Sequence, residues 1–310
     1  MTTLLRFIAL LACLSILLGN LAIAQQVSSG KLETVSPFKS EFIKERTVRI
    51  WLPDGYSTDI QYSVLYMHDG QMLFDATTTW NKQEWGVDEV AGKLQALGET
   101  KPFIVVAIDN GGELRYPEYL PQKPWEALST SAQHDVLNAI PQRSDSHIKN
   151  LIQSDNYLKF LVSELKPYID RTYSVLTDRD NTFVAGSSMG GLISMYAISE
   201  YPTVFGAAAC ISTHWPGSTK AEWTAITDQF MSYVKTHIPA PGVHRIYFDY
   251  GDQTLDAVYP PMQQQVDTVM RAKGYDASNW LTVYDKGAAH TETDWQARLD
   301  QPLLFLLGKQ

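Results

Sequence analysis

A chain of 310 residues, 45% of them apolar, is long enough to bury a sizeable core, and its composition is neither that of a disordered nor of a collagenous protein. A formal charge of −9 with no basic run argues against nucleic acid or an anionic membrane surface as partner. Two cysteines, Cys13 and Cys210, are too few for a disulfide scaffold.

Taken in order, residues 1–24 carry Arg6, then the apolar run Phe7 to Leu18 broken by Ser15, then Ala22-Ile23-Ala24 ahead of Gln25. That is the pattern of a signal peptide cleaved after Ala24, and the apolar run falls short of the roughly 20 residues that span a bilayer. A periplasmic or secreted mature chain, residues 25–310, with no stable membrane association is expected, and Cys210 alone remains in it as a free thiol.

Apolar, β-branched runs then recur: Leu32 to Phe38, Thr47 to Leu52, Ser63 to Met67, Phe103 to Ile108, Thr182 to Ala185, Ala207 to Ser212, Arg245 to Tyr250 and Leu281 to Tyr284. Helix-like segments separate most of the later ones, which predicts an α/β fold with a mainly parallel eight-stranded sheet and helices on both faces. Tyr157 to Asp170 reads as a helix whose last turn Pro167 bends or tightens. Pro261 to Lys273 reads as another, stopped by Gly274, and Trp295 to Leu307 as a closing helix interrupted at Pro302. Between them, residues 122–154 have weak periodicity and read as an insertion over the mouth of a site, a candidate lid. No linker divides the chain, so one catalytic domain is expected.

The chemistry centres on Val184-Ala-Gly-Ser-Ser-Met-Gly-Gly-Leu192, a strand, a sharp turn and a helix with G-x-S-x-G spacing. A serine at such an apex sits in a strained conformation, so its neighbours two positions away, Gly186 and Gly190, must be small; the first N–H groups of the helix, Met189 included, face the place where an oxyanion would form. A serine needs a base, and the base an acid that orients it. In the order Ser, acid, His, the histidine beyond the last strand is His290. The acid belongs in the loop after the seventh strand, where Asp256 is favoured and Asp252, next to Gly251, is the rival. The loop after the third strand, His68-Asp-Gly-Gln-Met72, offers the Gln71 N–H as second oxyanion donor behind a turn at Gly70. His68-Asp69 lacks a spaced third ligand, so no metal is expected, and no cofactor is called for.

Leu65-Tyr-Met-His-Asp-Gly-Gln-Met-Leu-Phe-Asp75, Trp85-Gly-Val-Asp88, Val184-Ala-Gly-Ser-Ser-Met-Gly-Gly191, Asp249-Tyr-Gly-Asp-Gln-Thr-Leu-Asp256 and Ala288-Ala-His-Thr-Glu-Thr-Asp-Trp295 together resemble the putative-esterase group of α/β-hydrolases. That group takes in feruloyl and acetylxylan esterases, S-formylglutathione hydrolase, siderophore esterases and mycolyltransferases. The resemblance implies an α/β-hydrolase fold, a triad of Ser188, Asp256 and His290, and oxyanion donors Gln71 and Met189. Gly251-Asp252 departs from the group's frequent Gly-Thr, which keeps Asp252 in play. The expected activity is that of an exported serine carboxylic-ester hydrolase acting through an acyl-enzyme on a small-molecule, carbohydrate-linked or other bulky ester. An acyltransferase or a siderophore esterase of the same fold is the alternative. Trp80, Trp85, Tyr116, Tyr119, Trp125, His214 and Trp215 are the aromatic candidates for the mouth of the site.

Overall fold

The strands assemble in the order β1-β2-β4-β3-β5-β6-β7-β8 in the computed structural model, which describes residues 25–139, 152–218 and 222–309. The signal peptide expected over residues 1–24 lies outside the described residues. The strands are β1 (Lys31–Phe38), β2 (Arg46–Leu52), β3 (Ser63–His68), β4 (Phe103–Ile108), β5 (Thr182–Ser187), β6 (Ala207–Ile211), β7 (Arg245–Tyr250) and β8 (Trp280–Tyr284). β1 pairs with β2, and β2 with β4, antiparallel; every other pairing is parallel. The eight strands fall where the apolar runs predicted them.

The central strands β3, β4, β5 and β6 are buried along their whole length, as strands covered on both faces must be. Successive side chains alternate between the faces. Val64 and Tyr66 join a core with Leu192, Ile193 and Phe230, while Leu65 and Met67 join the other with Val87 and Leu303. The edge strands β1 and β8 are partly exposed.

The helices among the described residues are α1 (Val87–Ala96), α2 (Arg115–Tyr119), α3 (Gln122–Glu126), α4 (Thr130–Asn138), α5 (Ser154–Phe160), α6 (Lys166–Thr172), α7 (Met189–Glu200), α8 (Ala225–His237), α9 (Pro260–Ala272), α10 (Glu292–Ala297) and α11 (Asp300–Leu307). Helix α7 is buried on all sides up to Ser199, as its apolar sequence requires.

Two proline expectations need correction. Helix α5 runs into α6 through a π-helical turn, Leu161–Leu165, in which the Lys166 N–H donates to the Leu161 carbonyl. Pro167 therefore sits inside one continuous helix directly after the π-helical turn, and the irregularity precedes it instead of falling in the last turn. The closing helix breaks at Arg298-Leu299, and Pro302 sits in the first turn of α11. Within residues 122–154 the described part is more regular than expected: α3 packs Trp125 against the core and α4 packs Val136 into it, Lys123 pairs with Glu200, and residues 140–151 lie outside the described residues.

Candidate active site

Every side chain of interest lies at the carboxyl ends of the parallel strands. Ser188 is the single residue between β5 and α7, and its backbone takes φ 59° and ψ −121°. That conformation is costly for a residue with a Cβ and persists because its surroundings over-determine it. The Ser188 N–H donates to the Ile211 carbonyl at 2.9 Å and its own carbonyl accepts from the His214 N–H at 3.1 Å, so the loop after β6 holds the elbow from both sides. A Cβ on Gly186 would stand 2.9 Å from the Gly190 backbone, which is why this turn demands glycine there.

An open cavity of about 490 Å³ is lined by Ser188 and His290, and also by Gln71, Trp80, Trp85 and Arg115. His290 Nδ1 lies 2.6 Å from Asp256 Oδ1. A carboxylate can only accept, so Nδ1 carries the proton and Nε2 keeps its lone pair. The ring is gripped edge-to-face by Trp295, at 4.9 Å, and by Tyr259, at 5.8 Å.

Asp256 itself is fully buried; its Oδ2 accepts from Ser212 Oγ at 2.6 Å and from the Gly251 N–H at 2.7 Å. Burial works against the charged carboxylate, but these bonds and the one from His290 outweigh it and hold the Asp256 carboxyl below its ordinary range. Asp252 turns elsewhere, to the Tyr284 hydroxyl at 2.5 Å and the Gly287 N–H at 2.9 Å, so of the two candidate acids Asp256 is the one that meets His290.

Gln71 lines the cavity opposite, pinned by a bond from Gln25 Nε2 to its carbonyl and from the Asn110 N–H to its Oε1. Met189, buried, opens α7, where N–H groups have no acceptor within the helix. The turn before Gln71 differs from the expected one. Asp69, not Gly70, takes the left-handed conformation, at φ 56°, and Gly70 is required because a Cβ there would stand 2.7 Å from the Ala107 and Ile108 backbone. His68 and Asp69 do not converge on a common point: His68 Nδ1 bonds the Tyr157 hydroxyl at 2.8 Å, while Asp69 forms a bidentate pair with Arg115 at 2.7 and 2.8 Å.

Of the aromatics expected at the mouth, Trp80, 83% exposed, and Trp85 line the cavity. Tyr119 and Trp215 are core residues, and Tyr116 and Trp125 pack against the core. His214 is buried beside Tyr259. Sequence reasoning also missed the residues behind Asp256. Arg298 donates to both oxygens of Asp249, at 3.1 and 3.2 Å, and to Ser212 Oγ at 2.9 Å, and Trp295 Nε1 donates to the same oxygen at 3.0 Å. The only signal for Asp249 was a charged residue inside an apolar strand.

Several known proteins are similar to this chain. A Bacillus subtilis protein of uncharacterized function, YbbA, is 27% identical over 271 residues, 85% of this chain and 93% of that one. An endo-1,4-beta-xylanase/feruloyl esterase of Xylanibacter ruminicola is 25% identical over 212 residues, 64% of this chain but 24% of that longer one. Among solved structures, a ferulic acid esterase superimposes with a TM-score of 0.62 at 20% identity, covering 89% of this chain and 97% of that one. The enterobactin esterase of Shigella flexneri superimposes with a TM-score of 0.59 at 19% identity, covering 91% and 60%. Residues 40–306 match the family model described as "Putative esterase", and with its eight-stranded sheet and elbow the chain belongs to that family of α/β-hydrolase-fold carboxylic-ester hydrolases.

Proposed function

We propose that the protein cleaves a bulky or carbohydrate-linked ester through a covalent acyl-enzyme on Ser188. The observation that carries this reading is the 2.6 Å bond between Asp256 and His290 beside a serine held at φ 59° in the same cavity. His290 Nε2 takes the Ser188 proton as Oγ attacks the ester carbonyl, and the Met189 and Gln71 N–H groups receive the negative charge that develops on its oxygen. The tetrahedral intermediate collapses, His290 returns the proton to the departing alcohol, and water then releases the acid by the same route. Asp256 keeps the imidazole in the tautomer that this requires and stabilises its protonated form. Exposed Trp80 at the mouth supports a substrate with a flat ring, a sugar face or an aromatic acyl group.

Arg115 gives a specific reason for a second reading, a siderophore ester. The residue lines the cavity with its side chain 31% exposed and its guanidinium fixed by Asp69, which suits an anionic aromatic substrate. Hydrolysis of acetyl, feruloyl and catecholate-siderophore esters by the purified protein, with Ser188→Ala as control, separates the readings. Turnover by Ser188→Ala close to that of the parent overturns both. An acyltransferase would instead move the acyl group to an added sugar or other alcohol in the same assay. Export is part of the proposal, and amino-terminal sequencing of the mature protein, expected to begin at Gln25, tests it.

A further inference from the structure

Behind Asp256 lies a buried ion pair that takes no direct part in the proposed reaction. It joins Asp249, on β7, to Arg298, which follows α10. The guanidinium reaches both carboxylate oxygens, Nε to Oδ2 at 3.1 Å and Nη2 to Oδ1 at 3.2 Å. Burying two charges is a costly way to gain stability, and here both partners converge on one residue, Ser212. The Asp249 Oδ1 and carbonyl oxygens accept the Ser212 N–H at 2.9 and 3.1 Å, holding its backbone at φ 39°, a conformation that a residue with a Cβ keeps only under constraint. Arg298 Nη2 donates to Ser212 Oγ at 2.9 Å, and Trp295 Nε1 donates to it at 3.0 Å. Those N–H groups can only donate, so both lone pairs of the Ser212 oxygen are taken and its one proton goes to Asp256 Oδ2, 2.6 Å away.

We infer that Arg298 and Asp249 are positioning residues that act on Asp256 through Ser212. The pair turns the Ser212 hydroxyl into a donor of fixed direction. Asp256 Oδ2, which also accepts the Gly251 N–H at 2.7 Å, is then held against rotation, and Oδ1 is left to meet His290. Arg298 Nη2 stays 4.0 Å from Asp256 Oδ2, so its hold on the carboxylate runs by way of the hydroxyl. Asp249 balances the guanidinium, whose unpaired charge would oppose the imidazolium that forms on His290 during the reaction. The inference rests on Asp256 and His290 serving Ser188 as acid and base.

The test follows p-nitrophenyl acetate hydrolysis across pH, with the melting temperature as a check on folding. Ser212→Ala removes the linking hydroxyl. Its kcat should fall about ten-fold with KM held within about two-fold, the low end of what one hydrogen bond to a charged group is worth. The acid limb of its kcat profile should move to higher pH, because an Asp256 carboxyl with one donor fewer gains a proton more readily. Arg298→Lys keeps the charge but not the planar fork that spans Asp249 and Ser212. Alone it should lower kcat about five-fold; added to Ser212→Ala it should change kcat by less than about two-fold, since the route it acts through is already cut. Losses that multiply in the double variant, or an acid limb that stays in place in Ser212→Ala, overturn the inference. If Arg298→Lys does not fold, the acid limb of Ser212→Ala decides alone. Turnover by Asp256→Asn close to that of the parent would instead overturn the triad on which the inference rests.

Discussion

Two His–Asp combinations stand at the carboxyl edge of the sheet, and they behave oppositely. His68 and Asp69 are adjacent in sequence at the end of β3, yet one bonds Tyr157 in the core and the other pairs with Arg115 at the cavity wall. Asp256 and His290 are far apart in sequence, yet the loops after β7 and β8 bring them to 2.6 Å. His68 ends the strand and Asp69 turns out of it in the left-handed conformation, so their side chains part, whereas adjacent parallel strands deliver their loops to one place. Burial separates the pairs further: His68 is enclosed, while His290 lines an open cavity.

The largest effect should come from breaking the distant pair. Asp256→Asn keeps the shape but presents the wrong hydrogen-bonding pattern to Nδ1, and should lower kcat by about 10⁴-fold in p-nitrophenyl ester hydrolysis. Asp252→Ala, which removes an exposed partner of Tyr284, should stay within about three-fold. A reversal of that order would move the acid to Asp252.

Breaking the adjacent combination should affect stability rather than chemistry. Tyr157→Phe leaves His68 Nδ1 buried without its partner and should cost about 1–3 kcal/mol in urea unfolding, with turnover per folded molecule preserved. The pH dependence sharpens the same contrast. Burial lowers the pKa of His68 to about 3 and that of His214 to about 4, whereas in the unfolded chain each titrates near about 6.5. Below that unfolded value the unfolded state takes up protons that the folded state refuses, so stability is complete above it and falls as pH drops. The melting temperature should decline steadily from about pH 6.5 towards pH 4, and a flat profile would contradict the burial of these rings.

Trp80→Ala should give the smallest change. An 83% exposed ring contributes little to folding, so the melting temperature should hold while kcat/KM for a feruloyl or sugar ester falls about three- to ten-fold. Equal losses on p-nitrophenyl acetate would show that the ring does not select for bulk.

The fold was readable because a parallel sheet writes itself as unbroken apolar runs, and the elbow because its glycines are steric necessities at fixed spacing. Asp256 and Asp252 could be ranked but not separated, since both lie in one short loop and only the path of the chain decides which faces His290. Ser212, Arg298 and Tyr259 gave no sign in the sequence, because their roles are bonds to residues that other strands bring alongside. Most of the aromatic candidates went inward for a related reason: a tryptophan reads the same whether it lines a mouth or fills a core.

The bend from Ile211 to His214 grips the Ser188 backbone on two sides and, through Ser212, also grips the Asp256 carboxylate. Ser188 and Asp256 are therefore mounted on a common bracket, and any shift of that bracket carries both in the same direction. Their separation should vary less than the position of either, leaving His290, which arrives on a separate loop, as the part with independent play.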